Sequence, residues 1–222
     1  MKPLSDAALQ CAHEGNLPIS DTAEAQRFAA MLARSAELKR RCAETLGPAV
    51  LAAVDASERC LRAGGKLMFC GNGGSAADSQ HLATELLVRL RGTVSRPSWP
   101  GLALAPDAAT LTAGANDFGY DEVFARPLSG LGRAGDILFG ITTSGRSVSV
   151  VRALQTARVL GIATVGLLGG AGSPAADFCD IALCVPSTET ARVQECHIAL
   201  GHAILELLED RLVAHPIVEG RI

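Results

Sequence analysis

Five short apolar runs, each bounded by Gly, Pro or Asp, constrain the fold of this 222-residue chain more than any other feature. They are Lys66–Cys70, Gly101–Ala105, Asp136–Ile141, Ile162–Leu168 and Asp180–Val185, and longer stretches with helical spacing follow most of them. The runs are apolar without alternation, which predicts strands buried on both faces and hence a parallel sheet between helical layers. The helices are predicted at Ser75–Leu90, Tyr120–Leu131, Ser147–Leu160 and Thr190–Val213. The expected fold class is α/β, a three-layer α/β/α sandwich with a five-stranded parallel sheet. Two helices are predicted ahead of it, Asp21–Cys42 and Pro48–Arg62, the second closed by Gly64-Gly65. Arg91–Pro100 reads as a loop, and Asp107–Asn116 as a short helix or an ordered crossing.

Composition narrows the function classes. Hydrophobic residues make up 48% of the chain and aromatics 4%, enough for one aliphatic core. Net charge is −3 with no basic block, which argues against nucleic acid as the main partner. No run of about 18 apolar residues occurs, so no membrane span is expected. Residues 1–20 lack the apolar segment of a signal peptide and read as a leader or an assembly arm. The seven cysteines are scattered and lack a CxxC pair, as expected for reduced thiols in a cytoplasmic protein.

Two loops carry the first functional signal. Gly71-Asn72-Gly73-Gly74-Ser75 follows the first strand and opens a helix. About seventy residues later Thr142-Thr143-Ser144-Gly145-Arg146-Ser147 does the same after the third strand. A helix N-terminus offers unpaired N–H groups and the positive end of a dipole, both suited to a phosphate. A single such loop is as often a plain capped turn, but two in equivalent positions point to one ligand crevice. Gly71, Gly73 and Ala76 also satisfy GxGxxA, yet no acidic residue follows the next strand where a dinucleotide site needs one. Neither NAD nor ATP is favoured.

Two helices carry the polar groups that chemistry needs. His81 and Glu85, four residues apart, share one helical face and suit one metal ion, although such pairs are commonly surface contacts. The last helix holds Gln194, Glu195, His197 and His202 among apolar residues. Helical spacing does not choose between them: Glu195 and His202 lie closest in angle, and a histidine on an apolar helix is often a core residue.

The stretches CGNGGSAADSQHLATELLVR, GANDFGYDEVFAR, ITTSGRS and VQECHIALGHAILELLE resemble, in this order, the phosphoheptose isomerase branch of the sugar-isomerase (SIS) family. The resemblance runs from about Cys60 to Leu212. It implies a SIS fold, with residues 1–20 as leader and 21–222 as one SIS domain, comprising assembly helices at 21–62 and a sugar-phosphate core at 63–213. It further implies a cytoplasmic homotetramer with active sites at subunit interfaces. The implied reaction converts sedoheptulose 7-phosphate to D-glycero-D-manno-heptose 7-phosphate through an enediol, the first step toward ADP-heptose for lipopolysaccharide. By resemblance His81, Glu85, Gln194 and His202 are ligands of one Zn²⁺ per subunit. Glu85 is then the proton-transferring base and His202 its acid/base partner. A carboxylate held tightly by zinc is a poor base, so the two roles belong to different states. Asn72, Gly73, Gly74 and Ser75 would contact the substrate, with Glu85 and Gln194 also against it. Asn116 and Asp117 would hold sugar hydroxyls, and Thr142, Thr143, Ser144 and Ser147 the phosphate. Without the resemblance, Asn116-Asp117 reads as a turn before Gly119.

The chain departs from the family at Thr142, usually Ser, at Arg146 and Ser149, usually Asn, and at Pro127, usually Gln. These changes bear on substrate detail and subunit contacts, not on the proton-transfer pair. A neighbouring SIS branch is a non-catalytic tetrameric regulator that binds the replication initiator protein. It is similar in the first loop and last helix but lacks counterparts of Glu85 and His202, which this chain has. A third reading is a SIS isomerase of a different sugar phosphate.

Overall fold

The computed structural model describes residues 22–104, 107–170 and 173–217. The leader at 1–20, Asp21 and Ala105 at the end of the second predicted strand lie outside them. The chain divides into a unit ending at Glu37 and a unit beginning at Leu38. The described part of the first is helical from Ala23. The sheet and every site residue belong to the second.

The elements are α1 (Ala23–Arg62), β1 (Leu67–Gly71), α2 (Gly74–Leu87), β2 (Gly101–Ala103), α3 (Ala108–Phe118), α4 (Ala125–Leu131), β3 (Ile137–Thr142), α5 (Val148–Val159), β4 (Ala163–Gly169), β5 (Ile181–Val185) and α6 (Thr190–Ala214). Single 3₁₀ turns occupy Tyr120–Glu122 and Ala176–Phe178. All five strands are parallel in the order β2-β1-β3-β4-β5. Each predicted strand is found, with its start usually one residue later.

Burial explains why the strands show no polar alternation. β1 and β3 are buried at every residue, while the edge strands β2 and β5 are only partly covered. Leu67 and Phe69 join one core with Leu82 and Leu86 of α2 and Ile204 and Leu208 of α6. Met68 and Cys70, on the opposite face, join another with Val123, Phe124 and Leu128 and with Val150 and Leu154 of α5. Successive side chains thus enter different apolar layers. Among the described residues all cysteines are free, and burial pushes the Cys70 thiol up to about 12.

Two local expectations need correction. The helices predicted at Asp21–Cys42 and Pro48–Arg62 are one helix, α1, with Pro48 inside it. An interior proline costs about 3 kcal/mol of helix stability. Leu46, Ala49 and Val50 pack against the core around it, and this burial offsets the loss. The helix predicted over Tyr120–Leu131 is a 3₁₀ turn followed by α4. The 107–116 segment is helical, as α3, and its Asp107 cap accepts from the Thr110 N–H at 3.0 Å.

The order β2-β1-β3 makes the β1/β3 seam the point where successive connections run to opposite sides, which is where open α/β sheets bind ligands. Gly71 is paired with Ile141, so the loops that leave β1 and β3 start side by side.

Candidate active site

The first loop turns through Gly73, the residue before α2, at φ +57°, a conformation that favours glycine. At Gly74 the need for glycine is spatial. A Cβ there would lie 2.3 Å from Nε2 of Gln194, so any larger residue would displace the Gln194 amide from its place against the first turn of α2. The second loop ends at Ser147, the residue before α5. Asn72, Ser75, Ile141, Thr142, Thr143, Ser144 and Ser147 line one cavity of about 180 Å³ at this seam. The N-termini of α2 and α5 open beside it, so hydroxyls, N–H groups and two helix dipoles make its chemistry suited to an anion. Its lining contains no basic side chain. Arg146 sits exposed on the loop, its N–H donating to Ser144 Oγ at 3.2 Å.

Asn72 bridges the two loops. Its Nδ2 donates to Ser147 Oγ at 2.7 Å and to Ser149 Oγ at 3.0 Å. Its Oδ1 accepts from the Tyr120 hydroxyl at 2.8 Å. Ser149, two residues after Ser147, stands in the sequence only as a departure from the family, and Tyr120 is not expected at the site at all, because its contact with Asn72 crosses between elements.

Farther along α2 a second cluster forms. His81 Nε2 lies 2.7 Å from His202 Nε2 of α6 and 3.2 Å from Glu85 Oε1. Ligand atoms of these three residues all fall within 4.8 Å of one another. Tetrahedral zinc with bonds of about 2.0–2.1 Å spaces its ligands about 3.3 Å apart. The His81–Glu85 separation matches that spacing, and the two imidazoles need open only slightly. The donor set of two histidines and a carboxylate fits zinc.

Gln194 takes a neighbouring position, its Nε2 donating to the Asp78 carboxylate at 3.3 Å and 3.5 Å. Asp78, one turn before His81, is mostly buried, and burial raises its pKa against the pull of Gln194 and the two histidines. Asp78 is a site neighbour that sequence reasoning missed. Its i,i+3 spacing to His81 was the signal. The other polar residues of α6 separate cleanly. Glu195 pairs with Arg192 at 2.7 Å, and His197 is fully buried in the core, where burial pushes its pKa down to about 4. Asn116 and Asp117 lie exposed in the last turn of α3, bonded to each other at 2.8 Å. They are not part of the cavity lining.

A family model described as SIS domain matches residues 31–169. The chain belongs to the SIS domain family. A phosphoheptose isomerase of Chlorobaculum parvum is 51% identical over 179 residues, spanning 80% of this chain and 86% of the relative. One of Rhodospirillum rubrum is 48% identical over 165 residues, spanning 74% and 87%. The solved phosphoheptose isomerase structure from Francisella tularensis is similar at TM-score 0.80 and 34% identity, over 85% of this chain and 100% of that one. The structure from Neisseria gonorrhoeae gives TM-score 0.77 and 38% identity, over 83% and 98%. In this SIS domain the seam cavity and the His/Glu/His cluster are reached from the same helix, α2.

Proposed function

We propose that this SIS domain isomerises sedoheptulose 7-phosphate to D-glycero-D-manno-heptose 7-phosphate. The observation that carries the reading is the economy of α2. Its first turn holds Ser75 in an anion-suited cavity, and its later turns hold His81 and Glu85 against His202. Ser75 and Glu85 are ten residues apart, a rise of about 15 Å. Phosphate grip and proton transfer are therefore separate tasks at separate ends of one rigid rod. The likeness to named phosphoheptose isomerases supports the heptose over another sugar.

In this mechanism Thr142, Thr143, Ser144 and Ser147 donate to the phosphate, with Ser75 and the backbone of Gly73 and Gly74. Asn116 and Asp117 serve the sugar hydroxyls. Glu85 takes the proton from C1 of the open-chain ketose and returns it to C2. His202 moves the hydroxyl proton from O1 to O2, so the enediol collapses to the aldose with atoms and charge conserved. His81, Glu85 and His202, with Gln194 beside them, would hold one zinc ion, which would supply carbonyl polarisation, Glu85 leaving the metal in the state in which it acts as base. The His81 side chain is 47% exposed. An enediol needs protection from water, and a neighbouring subunit closing over this cluster in a homotetramer supplies it. A cytoplasmic enzyme at the head of ADP-heptose synthesis fits these features, and no described helix is long and apolar enough to cross a membrane.

The test is to incubate the purified protein with sedoheptulose 7-phosphate, with and without a chelator, and follow the aldose by NMR. Product supports the isomerase, and the chelator arm decides whether metal takes part. No product from a folded, metal-restored protein defeats the heptose reading and turns attention to other sugar phosphates.

A further inference from the structure

The seam cavity binds an anion with hydroxyls, and a hydroxyl helps only if its proton faces the anion. Ser147 has one proton, and what its neighbours demand of it decides where that proton points. Both N–H bonds of the Asn72 amide are committed, to Ser147 Oγ at 2.7 Å and to the buried Ser149 Oγ at 3.0 Å. Ser147 therefore accepts from Asn72, and its own proton is kept for a ligand when Ser149, able to donate or accept, is the donor between the two serines. The two serine oxygens are 3.3 Å apart, so Ser149 is held in the same chain of bonds. With the amide turned over, Oδ1 would take the Ser147 proton and leave a lone pair facing the phosphate.

The group that sets the amide is Tyr120. Its hydroxyl meets Oδ1 at 2.8 Å, and a phenol donates more readily than it accepts. Tyr120 begins the 3₁₀ turn after Gly119, three residues beyond Asp117, and does not itself line the cavity. We infer that Tyr120 is a positioning residue of the phosphate cradle, acting through Asn72 to orient the Ser147 hydroxyl toward the phosphate. The inference rests on the sugar-phosphate reading of the cavity and adds to it a residue outside the lining.

The experiment measures inorganic phosphate binding by calorimetry, and sedoheptulose 7-phosphate turnover, in four forms of the full chain. These are wild type, Tyr120→Phe, Asn72→Ala and the double variant. The ring of a half-exposed tyrosine is kept in Tyr120→Phe, so its melting temperature should match wild type. Loss of one net hydrogen bond's worth of orientation is expected to weaken phosphate binding about three- to tenfold. KM should rise in step, with kcat within about twofold of wild type. In the Asn72→Ala background Tyr120→Phe should have no further effect on phosphate binding, because the path from Tyr120 to the cradle is gone. A merely structural tyrosine would lower the melting temperature and kcat and would add to Asn72→Ala. Phosphate affinity unchanged by Tyr120→Phe, or additive loss in the double variant, overturns the inference while leaving the cavity reading intact. Wild-type protein that binds no phosphate removes the cavity reading and the inference with it.

Discussion

Arg96 and Glu209 are joined at 2.7 Å with both side chains almost wholly buried, 2% and 1% exposed. The same guanidinium takes the backbone carbonyls of Glu85 and Leu86 and stacks over Trp99. Glu209 also receives Arg91 at 2.6 Å. This ion pair therefore ties the C-terminal end of α2 to α6, the two helices that bring His81, Glu85 and His202 together.

Glu209→Gln would leave a buried guanidinium without its charge partner, an imbalance worth about 3–5 kcal/mol. For a chain of this size the melting temperature should fall by roughly 6–20 °C. Calorimetric scans of both proteins measure it, and an unchanged transition would show that the pair is dispensable.

His81→Ala and His202→Ala each remove one of three converging ligand atoms. Elemental analysis after dialysis against zinc should find stoichiometric metal in wild type and little in either variant. Full zinc retention in both would place the metal elsewhere.

Glu85→Gln keeps the shape of the side chain and removes its basicity. Turnover is expected to drop about 10²–10⁴-fold, the usual contribution of a positioned general base, with the melting temperature unchanged. Near-normal turnover in the variant would take the proton-transfer role away from Glu85.

Asp78 carries a pKa raised by burial, so its ionised form costs stability once the pH exceeds the unfolded value, and none below it. Asp78→Asn should therefore be more stable than wild type at neutral pH, the advantage vanishing toward pH 4. Gln194 loses its charged anchor in the same variant, and activity should fall about tenfold. Stability and activity measured together separate the two effects, and a variant both less stable and fully active contradicts the assignment.

His197 shows the opposite linkage. Its folded pKa, about 4, lies below that of the unfolded chain, so between pH 6.5 and 4 the unfolded state binds more protons. Stability should fall as the pH drops through this window, by up to about 3 kcal/mol. His197→Leu should flatten that part of the profile. An equally steep acid loss in the variant would assign it to other groups.

The sheet was readable because β1, β3 and β4 are buried on both faces, and an uninterrupted apolar run has little else to become. Pro48 misled in the other direction, since local propensity marks a break and only the packing of its neighbours shows why the helix continues. His81 and Glu85 were legible from spacing within α2. On α6 the spacing left Gln194, Glu195, His197 and His202 undecided, because helical angle does not reveal which face meets α2. Contacts between distant elements, such as Tyr120 with Asn72 or Arg96 with Glu209, leave no local pattern at all.

The two loops that line the seam cavity leave neighbouring strands at the centre of the sheet, where Gly71 stands beside Ile141. Whatever occupies the cavity between them is also a rivet across the seam, gripping chain segments some seventy residues apart that meet only when the protein is folded. Ligand held at a hundred times its dissociation constant adds about 2.7 kcal/mol to such a fold. Scarcity of substrate would then do more than idle the catalyst: it would shorten the working life of the molecule itself.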